Sequence, residues 1–202
     1  MVSAEISRSW LLVNGSHSEE FDAAAATKAD QIVLDIEDAV DPSQKSAARD
    51  EVAKWLETKQ AWVRINDRSS DFWSDDIDQL RDIPGLLGVM LAKTEDGSHV
   101  TETFDRLGGR TRVLALVESA LGIEEAREIA CARGAFRLAF GSGDYRRDTG
   151  TSVEDIAMAY PRSRLVVASR IGNIPGPIDG PTVGTSYGIL REKSEHAVAL
   201  GM

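Results

Sequence analysis

The stretch VLDIEDAVD, residues 33–41, begins as an apolar β run and breaks into acid. Asp35, Glu37, Asp38 and Asp41 crowd one strand end. Carboxylates this close repel one another unless a cation, a base or a set of donors sits among them. Just beyond, Asp41 can cap a helix, Pro42 fits a first helical position and Gln44 follows. Ala48, Val52, Trp55 and Leu56 then recur at helical spacing and make one apolar face.

This strand-then-helix unit repeats outward. Apolar β-type runs stand at WLLV (10–13), IVLDI (32–36), WVRI (62–65), GVMLA (88–92), RVLALV (112–117), FRLAF (136–140) and, weakly, PID (177–179). Helix-compatible segments lie between them. Ala126, Ile129 and Ala130 form the apolar face of a fifth helix, and Thr151 with Glu154 resembles a capping box opening a sixth. Such a βα repeat implies a parallel sheet covered by helices, and nearly continuous apolar runs fit strands buried on both faces. Seven units can be counted, the last ending in the helix-like SYGILREKSEHAVAL. An eight-stranded barrel needs one more. No linker or low-complexity tract divides the chain, so residues 1–202 read as a single domain.

Composition narrows the class. The 202 residues are 42% hydrophobic and 28% charged, which suits a globular domain with an ample core. A net charge of −10 argues against a nucleic-acid binder, which usually shows basic clusters. The longest apolar run, GLLGVMLA, is too short to span a bilayer. A single cysteine, Cys131, excludes an intramolecular disulfide and fits a reducing compartment. Its helical setting suggests a buried structural thiol. MVSAEISRSW lacks the basic-then-apolar order of a signal peptide. The expected location is cytoplasmic.

The polar residues gather where the strands end. Asp35, Glu37 and Asp38 lie at the C-terminal end of the second run, and Arg64, Asn66 and Asp67 at the end of the third. Lys93 closes the fourth and Glu118 the fifth, Asp144 follows the sixth, and Asp179 ends the seventh. Barrel enzymes build their active sites at that face. Taken singly, each is more often a solvated loop residue or a helix cap; as a set they offer acids for a divalent cation and bases for an anion.

Glu118 and Asp144 are the metal candidates, because hard cations such as Mg²⁺ take one or two carboxylates and complete their shell with water and substrate. His17, His99 and His196 are scattered, which argues against zinc. Gly141-Ser142-Gly143 would let backbone amides approach an anion, although the pair lacks a P-loop lysine or a third glycine. Arg64 shares a strand face with Trp62 and Asn66 and presents a planar fork suited to a carboxylate or carbonyl. A salt bridge to Glu37 is the structural alternative. Lys45 and Arg49, one helical turn apart, could meet phosphates of a long substrate or pair with Asp41 or Glu51.

At these residues the chain resembles a family. LDIEDAVDPSQKSAAR is similar to the signature of the citrate lyase β-subunit (CitE-like) proteins of the HpcH/HpaI aldolase superfamily. The likeness continues through WVRIN, GVMLAK, LALVESALGIEEAREIA, FGSGDYRRDTG and YPRSRLVVASRIGNIPGPIDGP, over residues 8 to 185. It implies a TIM-type (β/α)8 barrel here lacking the last βα unit and C-terminal extension. It also implies a Mg²⁺-dependent lyase that breaks a carbon–carbon bond beside a thioester. Glu118 and Asp144 would ligate the metal, and Arg64 would bind the oxo acid. The products would be an oxo acid such as oxaloacetate and an acetyl-type thioester on coenzyme A or an acyl carrier protein. Glu37 and Asp38 would orient Arg64, hold outer-shell waters or relay a proton.

Three departures bear on this. Asp38 stands where the hydroxy-oxo-acid aldolase branch has a histidine, which favours the thioester branch over release of pyruvate. The family also continues past the helix ending near Leu200, so a subunit depending on a partner for catalysis is the alternative. LLVNG replaces an LFVPG-like turn. A homo-oligomer is expected from the resemblance, and an open barrel's exposed sheet edge gives it a physical motive.

Overall fold

The computed structural model describes residues 2–184 and 186–202; Met1 and Thr185 lie outside the described residues. Six strands form one sheet in the order of the chain: β1 Trp10–Asn14, β2 Gln31–Asp35, β3 Ala61–Ile65, β4 Leu86–Leu91, β5 Arg112–Val117 and β6 Ala135–Phe140. Every pairing is parallel. Six of the seven apolar runs are therefore strands, within two residues of their expected ends. The seventh is reduced to one parallel bridge between Ile178 and Ala139. The sheet is six-sevenths of the expected count and leaves the outer edge of β1 without a strand partner among the described residues.

The helices are α1 Phe21–Ala25, α2 Lys45–Leu56, α3 Trp73–Leu80, α4 Gly97–Arg106, α5 Ala120–Glu124, α6 Ala126–Cys131, α7 Ser142–Thr149, α8 Asp155–Ile171 and α9 Tyr187–Leu200. Asp41 caps as expected, its Oδ1 accepting from Ser43 N at 2.9 Å over a 3-10 turn at Pro42–Gln44 that leads into α2. Ala48, Val52 and Leu56 of α2 are buried. The capping box expected at Thr151 and Glu154 does not form: α8 begins at Asp155 without a side-chain cap, and Thr151 Oγ1 meets Thr149 instead. Cys131 is exposed rather than buried, because the short α6 turns Ala126, Ile129 and Ala130 inward and ends at the cysteine.

Two cores follow from strand alternation. Residues such as Leu34, Val63, Val89, Val113 and Leu138 pack outward beneath the helices. Val33, Trp62, Met90, Leu114, Leu116 and Ala139 pack on the concave side. Trp62 fills that concavity, stacked on Phe136 at 5.4 Å and edge-on to Trp10 at 5.2 Å. Gly88 makes room for it, since a Cβ there would stand 2.3 Å from the indole. This is the packed interior of a barrel, not a pore. At its floor, Arg137 is buried against backbone oxygens alone: Gly176 at 2.5 Å, Ser7 at 2.8 Å and Ala4 at 3.4 Å. Burial without a carboxylate pulls its guanidinium down to about 10.

Candidate active site at the carboxyl ends of the strands

The register of the sheet assembles the site. The pairing that seats Val33 beside Trp62 also seats Asp35 beside Arg64. Side chains paired across parallel strands share a face, so the Asp35 carboxylate meets the Arg64 fork two-handed: Nε to Oδ1 at 2.7 Å and Nη2 to Oδ2 at 2.5 Å. The pair is nearly enclosed, with side-chain exposures of 3% and 13%. Burial works against the guanidinium's charge, but the Asp35 hydrogen bonds and the charges of Asp35 and Glu37 outweigh it and raise its pKa. The expected partner, Glu37, is second: its Oε2 lies 3.4 Å from Arg64 Nη1, is buried and has no hydrogen bond.

Glu37 belongs instead to Lys93. The Lys93 ammonium reaches Glu37 Oε1 at 2.5 Å and Asp38 Oδ1 at 3.1 Å. Burial pushes the Glu37 carboxyl up, and Lys93 pulls against it. Burial also pushes Asp38 up, yet its contacts with Glu37 and Lys93 carry it below the usual range. The two neighbouring acids are thus shifted in opposite directions, Glu37 up and Asp38 down, an arrangement suited to moving a proton.

On the other side of the cleft, Val117 pairs with Phe140, and one step further Glu118 meets Gly141. A Cβ on Gly141 would lie 2.4 Å from the Glu118 Cβ and 2.3 Å from its Oε2, so only glycine leaves that carboxylate its place. Glu118 Oε1 accepts from Lys93 N at 2.8 Å. The side chain is buried, and burial, with Asp144 and Glu37 nearby, pushes its pKa up to about 8. Asp144 stands in the first turn of α7 and is paired with the exposed Arg147. Among the described residues no three His, Cys, Asp or Glu side chains come together as a metal-ligand group. The donor set is two carboxylates on adjacent βα units, one of them costly to ionise without a cation. That fits a hard divalent ion that keeps water and substrate in its shell.

Three expectations require correction. Lys45 is buried, its ammonium donating to the carbonyls of Ile36 and Glu37 at 3.0 and 2.9 Å. Arg49 is buried too, its Nε on Asp76 Oδ1 at 2.8 Å. Neither is open to a ligand's phosphates, because both lie on the face of α2 that packs inward. The Gly141 amide is spent on the Val117 carbonyl at 2.9 Å and is not a free anion donor. Gly143 remains exposed in the uncapped first turn of α7.

Two contributors had a weak signal in the sequence. Asp76 in α3 is buried and binds Arg49, the Asn66 amide and Asn66 N, so it fixes the end of β3. It sits inside a helical pattern where an acid usually faces solvent. Lys93 was marked only by its place at the end of β4.

Residues 8–202 match the family described as HpcH/HpaI aldolase/citrate lyase. The citrate lyase subunit beta of Haemophilus influenzae is 32% identical over 188 residues, covering 84% of this chain and 64% of that one. A crystal structure of the Mycobacterium tuberculosis citrate lyase beta subunit complexed with oxaloacetate and magnesium superposes with a TM-score of 0.81 at 28% identity, covering 98% of this chain and 90% of that one. A second structure from that organism, of CitE with magnesium, acetoacetate and coenzyme A, gives a TM-score of 0.82 at 29% identity over 98% of this chain and 75% of that one. The chain spans less than two thirds of the length of the first curated relatives it matches. Its six-stranded sheet is an unclosed TIM-type barrel, and the chain belongs to the HpcH/HpaI aldolase/citrate lyase family.

Proposed function

We propose that this chain carries the active site of a Mg²⁺-dependent carbon–carbon lyase. Its substrate is a citryl- or malyl-type acyl thioester on coenzyme A or an acyl carrier protein, cleaved to an oxo acid such as oxaloacetate and an acetyl-type thioester. The observation that supports this reading best is the convergence at the strand ends of Glu118, Asp144 and Arg64, close enough for the charges of both Asp144 and Arg64 to act on the Glu118 carboxyl. Glu118 and Asp144 would hold the Mg²⁺, which would supply a Lewis acid that lowers the pKa of the substrate alcohol.

The chain's own residues do the rest. Arg64, held in plane by Asp35, binds the oxo-acid portion and places positive charge at the oxygen that becomes a carbonyl. Asp38, its carboxyl held below the usual range, is the candidate to accept the alcohol proton, and Glu37, pushed up by burial, the one to relay it. The carbon–carbon electrons pass to the thioester as an enolate, which takes up a proton to become the acetyl-type product. The Gly143 amide in the uncapped turn of α7 is placed to meet an anionic portion of the ligand.

The test is calorimetric titration of Mg²⁺ and oxaloacetate into the protein, with turnover of citryl-CoA and malyl-CoA measured beside it. Saturable binding lost in Glu118→Gln, and turnover lost in Glu118→Gln and Asp144→Asn with melting temperature preserved, is the expected result. Turnover unchanged in both variants would remove the proposed site.

The open edge at β1 favours a second reading, a subunit that turns over substrate only with further strands or a homo-oligomeric partner in place. Binding without turnover in the isolated protein, and turnover on adding the partner, would support it.

A further inference from the structure

Lys93 has a φ of 46°, the left-handed region that a lysine rarely adopts. Such strain persists where the surroundings over-determine it. Here three bonds do so. The Lys93 N–H donates to Glu118 Oε1 at 2.8 Å, while its ammonium bridges Glu37 at 2.5 Å and Asp38 at 3.1 Å. One residue thereby touches the carboxylate on the metal side and both acids on the substrate side. The other nearby cations hold the acids less directly: Arg64 is bonded to Asp35 and only approaches Glu37, Nη1 to Oε2 at 3.4 Å without a hydrogen bond, and Lys45 donates to the carbonyls of Ile36 and Glu37.

We propose that Lys93 is a positioning residue that fixes the acid pair Glu37–Asp38 relative to Glu118, so that one strained turn aligns the proton-handling half of the site with the metal half. This rests on the proposed lyase reading. The Lys93 side chain is 43% exposed, so it lies at the solvent-facing rim of the site rather than beneath it. It offsets two carboxylates where an oxo-acid anion must enter. Removing it leaves the cleft more negative, which repels the anion and attracts a cation. A residue that merely supported the fold would weaken both together.

The experiment compares wild type, Lys93→Gln and Lys93→Arg in three measurements: Mg²⁺ alone by calorimetry, oxaloacetate at saturating Mg²⁺, and hydrogen exchange of the Ile36–Asp41 loop without ligands. Lys93→Gln is expected to bind oxaloacetate about tenfold more weakly, the size of a lost charge-assisted hydrogen bond at a half-exposed site. It should keep Mg²⁺ affinity within roughly threefold or tighten it, and exchange the loop amides faster, while Lys93→Arg restores the first and third. Oxaloacetate affinity unchanged, or lost in step with Mg²⁺, overturns the proposal. If wild type binds neither ligand, the lyase reading fails and loop exchange alone decides on Lys93. Faster exchange in Lys93→Gln but not in Lys93→Arg upholds it, and equal exchange refutes it.

Discussion

Asp35 and Arg64 show how much one pairing can decide. The carboxylate is buried and the guanidinium nearly so, which leaves each dependent on the other. Truncating one partner of such a pair leaves the other charged and enclosed, at a cost of about 3–5 kcal/mol. Asp35→Ala is therefore expected to lose about that much stability in urea denaturation, and to release Arg64 from its plane. The pair was open to discovery in the sequence: aligning IVLDI with WVRI as parallel neighbours brings the two residues level. What stayed hidden was the choice between Asp35 and Glu37 as the arginine's partner, because Glu37 lies beyond the strand, where loop geometry rather than alternation sets direction. Glu118 carries a second prediction at this scale. Its carboxyl is raised from 4.5 to about 8, chiefly by burial. In metal-free protein the folded state then holds a proton that the unfolded chain gives up, so stability is full below the lower value and falls as pH rises through the upper one. Glu118→Gln cannot ionise and escapes that fall. The variant is expected to gain on the wild type by a few kcal/mol between acid and alkaline conditions, read from urea midpoints taken in chelator below, within and above that window.

Strands were more legible than helix ends. A buried strand shows itself as an unbroken apolar run, and six such runs became β1–β6 because both faces of a parallel sheet are covered. Helix boundaries rest on single side-chain contacts instead. The Asp41 cap formed; the Thr151–Glu154 box did not, since the chain is still turning there when α8 starts at Asp155. Lys45 and Arg49 were misplaced for a related reason. Their spacing puts them on one face of α2, but periodicity alone cannot say that this face also carries Ala48 and Val52 inward. Glycines divide in the same way: a sequence marks them as turns, while the structure makes Gly88 a socket for Trp62. Gly88→Ala drives a methyl into the indole ring and is expected to cost roughly 1–3 kcal/mol. Loss of near-ultraviolet circular dichroism from Trp62 and a lowered thermal midpoint would register it, whereas an unchanged midpoint would mean that the interior gives way easily.

At the scale of the whole molecule the sheet curves without closing. Leu11 and Leu12 on β1 are 37% and 45% exposed beside the strand's unpaired edge. Bare apolar edges invite pairing with another chain. The protein is expected to associate with rising concentration in analytical ultracentrifugation, and Leu12→Lys to weaken that association at least severalfold. No difference between the two would shift attention to other surfaces. The seventh strand was weak in the sequence and is weak in the fold, a single bridge at Ile178. Short polar stretches such as PID have too little apolar surface to declare themselves. The chain order of the strands also bears on how the molecule forms. Each strand pairs with the one before it, so the sheet can grow by local steps as the polypeptide lengthens, with little loop-closure entropy at any stage. The clasp of Arg137 on the oxygens of Ala4 and Ser7 is different, joining residues 133 and 130 positions apart. It can close only after β6 has docked. Its loss would leave the rate of folding nearly untouched and show itself in faster unfolding, so the buried arginine without a carboxylate sets how long the native state lasts rather than how quickly it is reached.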